Sequence, residues 1–119
     1  MDETAIYGKL GKAAFRLCGR VFYDFMGKPR GFLVGNTIYD LRGQHRGFYI
    51  TGLVRDRMGK VIGFTEDAHS NGLQLPLADI PPVPYRNLAA PEMPSGLPDM
   101  ECPCLPPLWS IMRLENMLV

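Results

Sequence analysis

The stretch Thr37-Ile38-Tyr39-Asp40-Leu41-Arg42-Gly43-Gln44-His45-Arg46-Gly47-Phe48 decides the fold. An apolar, aromatic run ends at Asp40, Gly43 follows three residues later, and a second run opens at Gly47-Phe48. Asp at the first position of a turn and Gly at the fourth are the preferences of a type I turn, whose closing Gly takes up the left-handed conformation. β-branched and aromatic residues on both sides favour strands. A helix is excluded, since each Gly would cost it about 1 kcal/mol relative to Ala. The stretch reads as one β-hairpin.

Outward from this hairpin the same columns recur every sixteen residues. Gly11, Gly27, Gly43 and Gly59 form one column; Ile6, Phe22, Ile38 and Val54 form another, followed by Tyr7, Tyr23, Tyr39 and Arg55. Asp24, Asp40 and Asp56 precede their glycines by three, with Gly8 in the first copy. Gly31-Phe32, Gly47-Phe48 and Gly63-Phe64 recur, and the first copy departs with Phe15-Arg16. Sixteen residues hold two short strands and two turns, with Gly35-Asn36 and Gly52 marking return turns. The second glycine of each hairpin marks a bend or a close approach of another backbone. Because single hairpins are unstable in water and open edges aggregate, the four share one core by closing into a ring or barrel. The expected fold is therefore all-β: four hairpins over residues 5–67, without a helix longer than two turns before Gly72. Its core columns are Ile6/Phe22/Ile38/Val54 and Phe32/Phe48/Phe64.

A different composition follows. Ten of the eleven prolines lie from Pro76 onward, whereas eleven of the thirteen glycines lie between Gly8 and Gly63. Residues 71–119 read as an extended Pro-rich tail with an apolar beat of three at Leu77, Ile80 and Val83, the period of a polyproline II strand. Trp109 to Leu114 is the one stretch expected to form a short helix. The charge divides at the same place. From Tyr7 to Phe64, eleven Lys/Arg face three Asp, a balance of +8; from Thr65 onward, two Arg face seven acids, a balance of −5. The tail is expected to dock on the body of its own or a neighbouring chain, with Trp109, Leu77, Ile80 and Val83 as apolar anchors.

The runs Thr37–Phe48 and Val54–Phe64, with the late Leu108-Trp109-Ser110, resemble the bacterial four-fold beta flower proteins. The resemblance covers about Tyr7–Gly72 and the end of the tail. It implies four hairpins around a pseudo-four-fold axis and brings no catalytic residues to transfer. Members carry a repetitive tail of apolar, Lys and Pro residues, and the acidic tail here departs from it.

No motif carries chemistry as clearly. Asp24, Asp40 and Asp56 could converge as an oxygen-rich cation site, but the Asp-x-x-Gly spacing is explained by each Asp accepting N–H bonds from its own turn. Cys102-Pro103-Cys104, with Cys18 distant and His45 and His69 as the only imidazoles, lacks the paired spacing of structural zinc. The expectation is free thiols, no cofactor and no metal. Neither histidine belongs to a nucleophile triad, and no glycine loop leads into a helix to hold phosphate. An enzyme is not expected. Lys and Arg among aromatics suit single-stranded nucleic acid or an oligosaccharide, with Arg30, Arg46, Tyr23 and Tyr39 as the candidate ligand-binding residues. Aromatics in a β repeat are mostly core, however, and the acidic tail can cover the basic face. The favoured reading is a bacterial, cytoplasmic, non-enzymatic structural or interaction module that self-associates as a homo-oligomer. Binding of an anionic polymer or oligosaccharide is the alternative. Met1-Asp2-Glu3 leads into no apolar run and no stretch approaches 18 consecutive apolar residues, so neither a signal peptide nor a membrane-spanning helix is expected.

Overall fold

Eight antiparallel strands follow one another along the chain: β1 (Glu3–Tyr7), β2 (Ala13–Cys18), β3 (Val21–Tyr23), β4 (Pro29–Val34), β5 (Thr37–Asp40), β6 (His45–Ile50), β7 (Leu53–Asp56) and β8 (Val61–Phe64). They are seen in a computed structural model, which describes residues 3–68, 70, 72–103 and 107–118. Each strand pairs with its sequence neighbours, and Tyr7 opposite Phe64 joins β1 to β8 to close the barrel. The turn of every hairpin (residues 8–12, 24–28, 40–44 and 56–60) lies at one end, and the return turns lie at the other. Four turn glycines, Gly11, Gly27, Gly43 and Gly59, have φ of 82, 82, 86 and 92°. That is the left-handed conformation read from the Asp-x-x-Gly spacing.

The register slips at Ile6/Tyr7, Phe22/Tyr23, Ile38/Tyr39 and Val54/Arg55. Each slip is a bulge that leaves one extra residue unpaired: Ala14, Arg30, Arg46 or Ile62. The bulge also sorts the faces. Ile6, Phe22, Ile38 and Val54 point into the barrel with Phe15, Leu17 and Ile62. The Tyr7 and Phe64 rings face outward and stack at 5.6 Å. Both expected core columns are buried, but on opposite faces of the sheet. Phe32, Phe48 and Phe64 share the outward face because each follows an inward Gly by one residue.

The inner glycines lie against a neighbouring backbone, as expected, and against the end of the chain: a Cβ would lie 2.5 Å from Tyr39 O at Gly31, 2.2 Å from Arg55 O at Gly47 and 2.9 Å from Tyr7 O at Gly63. Leu114, Met117 and Leu118 enter the barrel and join its core. A Cβ on Gly31 would lie 3.0 Å from Leu118 Cδ2, one on Gly47 3.3 Å from Met117 Sδ, and one on Gly63 3.1 Å from Leu114 Cδ1. Three hairpins thus leave room for three plug side chains. The first hairpin, with Phe15 at the equivalent position, fills its own share.

Between β8 and the plug, the C-terminal segment travels around the turns. Asp79 N–H donates to Gly11 O (2.8 Å), Tyr85 N–H to Phe25 O (2.9 Å) and Leu88 N–H to Gly27 O (2.8 Å). Asp99 Oδ1 accepts from Asn36 N–H (3.0 Å) and Thr37 Oγ1 (2.9 Å), and the Tyr39 hydroxyl donates to Pro98 O. Leu108 O accepts from Val61 N–H, and Ser110 N–H donates back to Val61 O, both at 2.7 Å. Three expectations change here. Leu77, Ile80 and Val83 are not anchors: they are 92, 95 and 88 % exposed, and Leu73, Leu75, Ala78 and Trp109 pack on the barrel instead. The expected charge attraction makes no close pair: among the described residues no ion pair within 4.0 Å joins tail to barrel. Finally, Trp109 makes a parallel bridge with Val61, and the only helical turn among the described residues is a 3₁₀ helix over Leu114–Asn116. Backbone bonding to β8 holds 108–110 extended, so the chain coils only where Leu114 turns into the barrel.

Candidate functional site

At the turn end, three hairpins are built alike. Asp24 Oδ1 accepts N–H bonds from Met26 and Lys28, Asp40 Oδ1 from Arg42 and Gln44, and Asp56 Oδ1 from Met58 and Lys60, at 2.9–3.0 Å. The second carboxylate oxygen takes another donor. Arg30 Nε reaches Asp24 Oδ2 and Arg46 Nε reaches Asp40 Oδ2, each at 3.0 Å. In the fourth hairpin the bulge residue is Ile62, and Ser110 Oγ–H from the tail donates to Asp56 Oδ2 at 2.6 Å. Burial raises the carboxyls of Asp24 and Asp40. The backbone N–H of the following turn and the arginine beside each outweigh that and hold both below the ordinary value.

The first hairpin breaks this scheme. Its turn closes with the same backbone bonds, Gly8 N–H to Lys12 O and Gly11 N–H to Gly8 O, both 2.9 Å. Gly8 supplies no carboxylate, and Ala14 replaces the arginine. Its neighbourhood is held by other means. Arg16, only 4 % exposed, donates to Glu3 Oε1, to Asp24 O (2.8 Å) and to Asn87 Oδ1 (2.6 Å). Its guanidinium also stands over the rings of Tyr23 and Phe25 at 5.8 and 5.5 Å. Tyr7 donates to Glu66 Oε1 at 2.9 Å, and burial, that bond and the Glu66 charge push its hydroxyl up to about 12.

A cleft of about 590 Å³ opens beside this turn. Gly8, Lys9, Leu10 and Lys12 form one wall, the 109–115 segment forms the other, and Ile62 contributes to the floor. A second cleft of about 290 Å³ lies between Arg46, Arg57 and Met117. The two share Met112, so the rim of the plug separates them.

The four residues expected to bind a ligand do not form one surface for it. Arg30 and Arg46 are bulge residues folded onto their own turn aspartates. Tyr23 and Tyr39 are 9 and 3 % exposed, with one ring facing Arg16 and the other hydroxyl occupied by Pro98. Neither offers a stacking face. The bulge brings Arg30 and Arg46 back to Asp24 and Asp40, and leaves them 39 and 34 % exposed. Arg16 and the cleft at Gly8 escaped sequence reasoning, although the departure of the first copy at both positions was their signal. Among the described residues no group of three or more His, Cys, Asp or Glu comes together to hold a metal. His45 stacks edge-on against Phe48 at 4.8 Å, and burial lowers its pKa, as does the Arg57 charge. Cys18 and Cys102 are half-buried, while His69 and Cys104 lie outside the described residues. Among the described residues no helix is long and apolar enough to cross a membrane.

Compared with known proteins, residues 4–118 match a family model described as 4-fold beta flower protein. No curated protein and no solved structure matches the chain.

Proposed function

The chain belongs to the 4-fold beta flower proteins, and on that premise we propose that it is a non-enzymatic interaction module that binds further copies of itself. Four hairpins about a pseudo-four-fold axis form a rigid body, and the Pro-rich segment wrapped on it presents the contact surface. The observation that carries this reading is the stripe Leu77, Ile80 and Val83, held out to solvent by a backbone bonded to the barrel. Apolar side chains spaced by three between prolines lose little entropy when covered, because the segment is already ordered. Charge points to a second copy as the cover. The acidic tail forms no ion pair with its own basic barrel among the described residues, so the two remain complementary between chains. Sedimentation at tens of micromolar protein tests the reading. The full chain should sediment as an oligomer, and Ile80→Asp with Val83→Asp should give monomers with an unchanged melting temperature. A full chain that is monomeric throughout overturns it.

A further inference from the structure

We propose that the cleft beside the first hairpin binds a small carboxylate carrying an apolar chain, whose oxygen takes at Gly8 the place that the aspartate takes in the other three turns. The inference goes beyond self-association and does not depend on it.

The repeat itself supplies the template. In the turns at Asp24, Asp40 and Asp56, two backbone N–H groups converge on one carboxylate oxygen, and a side-chain donor meets the other. The turn at Gly8 has the same backbone closure. Its Leu10 and Lys12 N–H groups are the counterparts of those donors, and residue 8 has no side chain to accept them. A carboxylate arriving from outside finds the pair already oriented, and N–H bonds to an ionised acceptor are the stronger kind. Three cations line the same cleft, Lys9, Lys12 and Arg113, against one acid, Glu115. Lys9 and Lys12 make no ion pair among the described residues, and Arg113 meets Glu115 only at 3.9 Å.

The rest of the cleft is apolar. Ile62, Trp109 and Leu114 line it, and its volume of about 590 Å³ falls in the range of small-molecule sites, roughly 300–1,000 Å³. That combination selects a carboxylate with an apolar body, where a bare inorganic anion would leave the floor unused. Such a carboxylate belongs either to a free aliphatic acid or to the apolar C-terminus of a peptide.

Trp109 is the only tryptophan in the chain and lines the cleft, so its fluorescence reports occupancy. Octanoate should give a saturable change at fixed protein concentration, with half-saturation on the order of tenfold below that of octanol. Gly8→Asp supplies the carboxylate from within. A Cβ there meets Leu114 Cβ at 3.5 Å and Lys12 O at 3.9 Å, ordinary contacts, so the variant should fold, melt at a higher temperature and lose octanoate binding on the order of tenfold. Gly8→Ala should keep it. The Lys9→Gln, Lys12→Gln pair, which leaves the turn backbone intact, should weaken octanoate and leave octanol unchanged. A peptide ending in Phe-Leu with a free carboxylate, compared with its amide, distinguishes the sources: tighter than octanoate means a chain terminus, weaker means a free acid. Equal binding of octanol and octanoate, or octanoate binding by Gly8→Asp equal to that of the unaltered chain, overturns the proposal.

Discussion

The first hairpin and the other three share a backbone but not the chemistry that holds it. Hairpins two to four lock each turn with an aspartate and leave an inner glycine for a plug residue. The first has Gly8 where they have Asp and Phe15 where they have Gly, so its turn lacks a carboxylate and its interior fills itself. Its outer face carries Arg16, which ties Glu3, Asp24 and Asn87 together. A repeat can therefore keep its shape while one copy is released from the shared interactions. The released copy is where the larger cleft lies.

Substitutions at the inner column should break this contrast most. Phe15→Ala empties part of the core that Phe15 shares with the plug and should cost about 3–5 kcal/mol in chemical denaturation. At the equivalent position of the third hairpin the opposite change is harmful. Gly47→Ala would place a Cβ 2.2 Å from Arg55 O and should cost about 1–3 kcal/mol through strain.

The two kinds of hairpin should also fail at opposite ends of the pH scale. Tyr7 titrates at 10.0 when unfolded and at about 12 when folded. Its stabilisation is complete below pH 10 and is lost as pH rises through about 12, on the order of 3 kcal/mol in total. Tyr7→Phe should flatten that alkaline limb. Asp24 and Asp40 are shifted the other way, below 3.8. What they contribute is present above that value and disappears as pH falls through their lower folded values. Asp24→Asn with Asp40→Asn should flatten the acid limb and leave the alkaline one intact. Urea midpoints measured across the range check both.

The smallest effect concerns a return turn. Thr51 has φ of 53°, where the equivalent Gly19 and Gly35 have 64 and 59°. Thr51→Gly should relieve that strain and stabilise the chain by about 1 kcal/mol or less, since Gly itself loses more entropy on folding. A shift of the melting temperature upward is the expected sign.

The strands and turns were legible because each is local: an aspartate and a glycine three residues apart are enough to write a turn, and the period of sixteen counts the hairpins. Even the break at Gly8 and Phe15 stood in the columns. That Arg30 and Arg46 meet the aspartates of their own turns was not legible, because the bulge that brings them there is a matter of strand pairing and not of the columns. The tail was misread for a related reason. Leu77, Ile80 and Val83 look like anchors from apolarity alone, but which side of an extended chain meets the barrel depends on which backbone groups it bonds, here Asp79 and Tyr85 to the turns.

Local pattern thus determined the hairpins, the turn conformations and the presence of a glycine in each inner column. Tertiary structure decided what, besides a neighbouring strand's carbonyl, lies over those glycines. Leu114, Met117 and Leu118 lie at least 51 residues from the glycines they cover, and no periodicity links segments so far apart. Only the closed barrel gives them a common interior, because burying three apolar side chains there removes more surface from water than leaving the chain end outside.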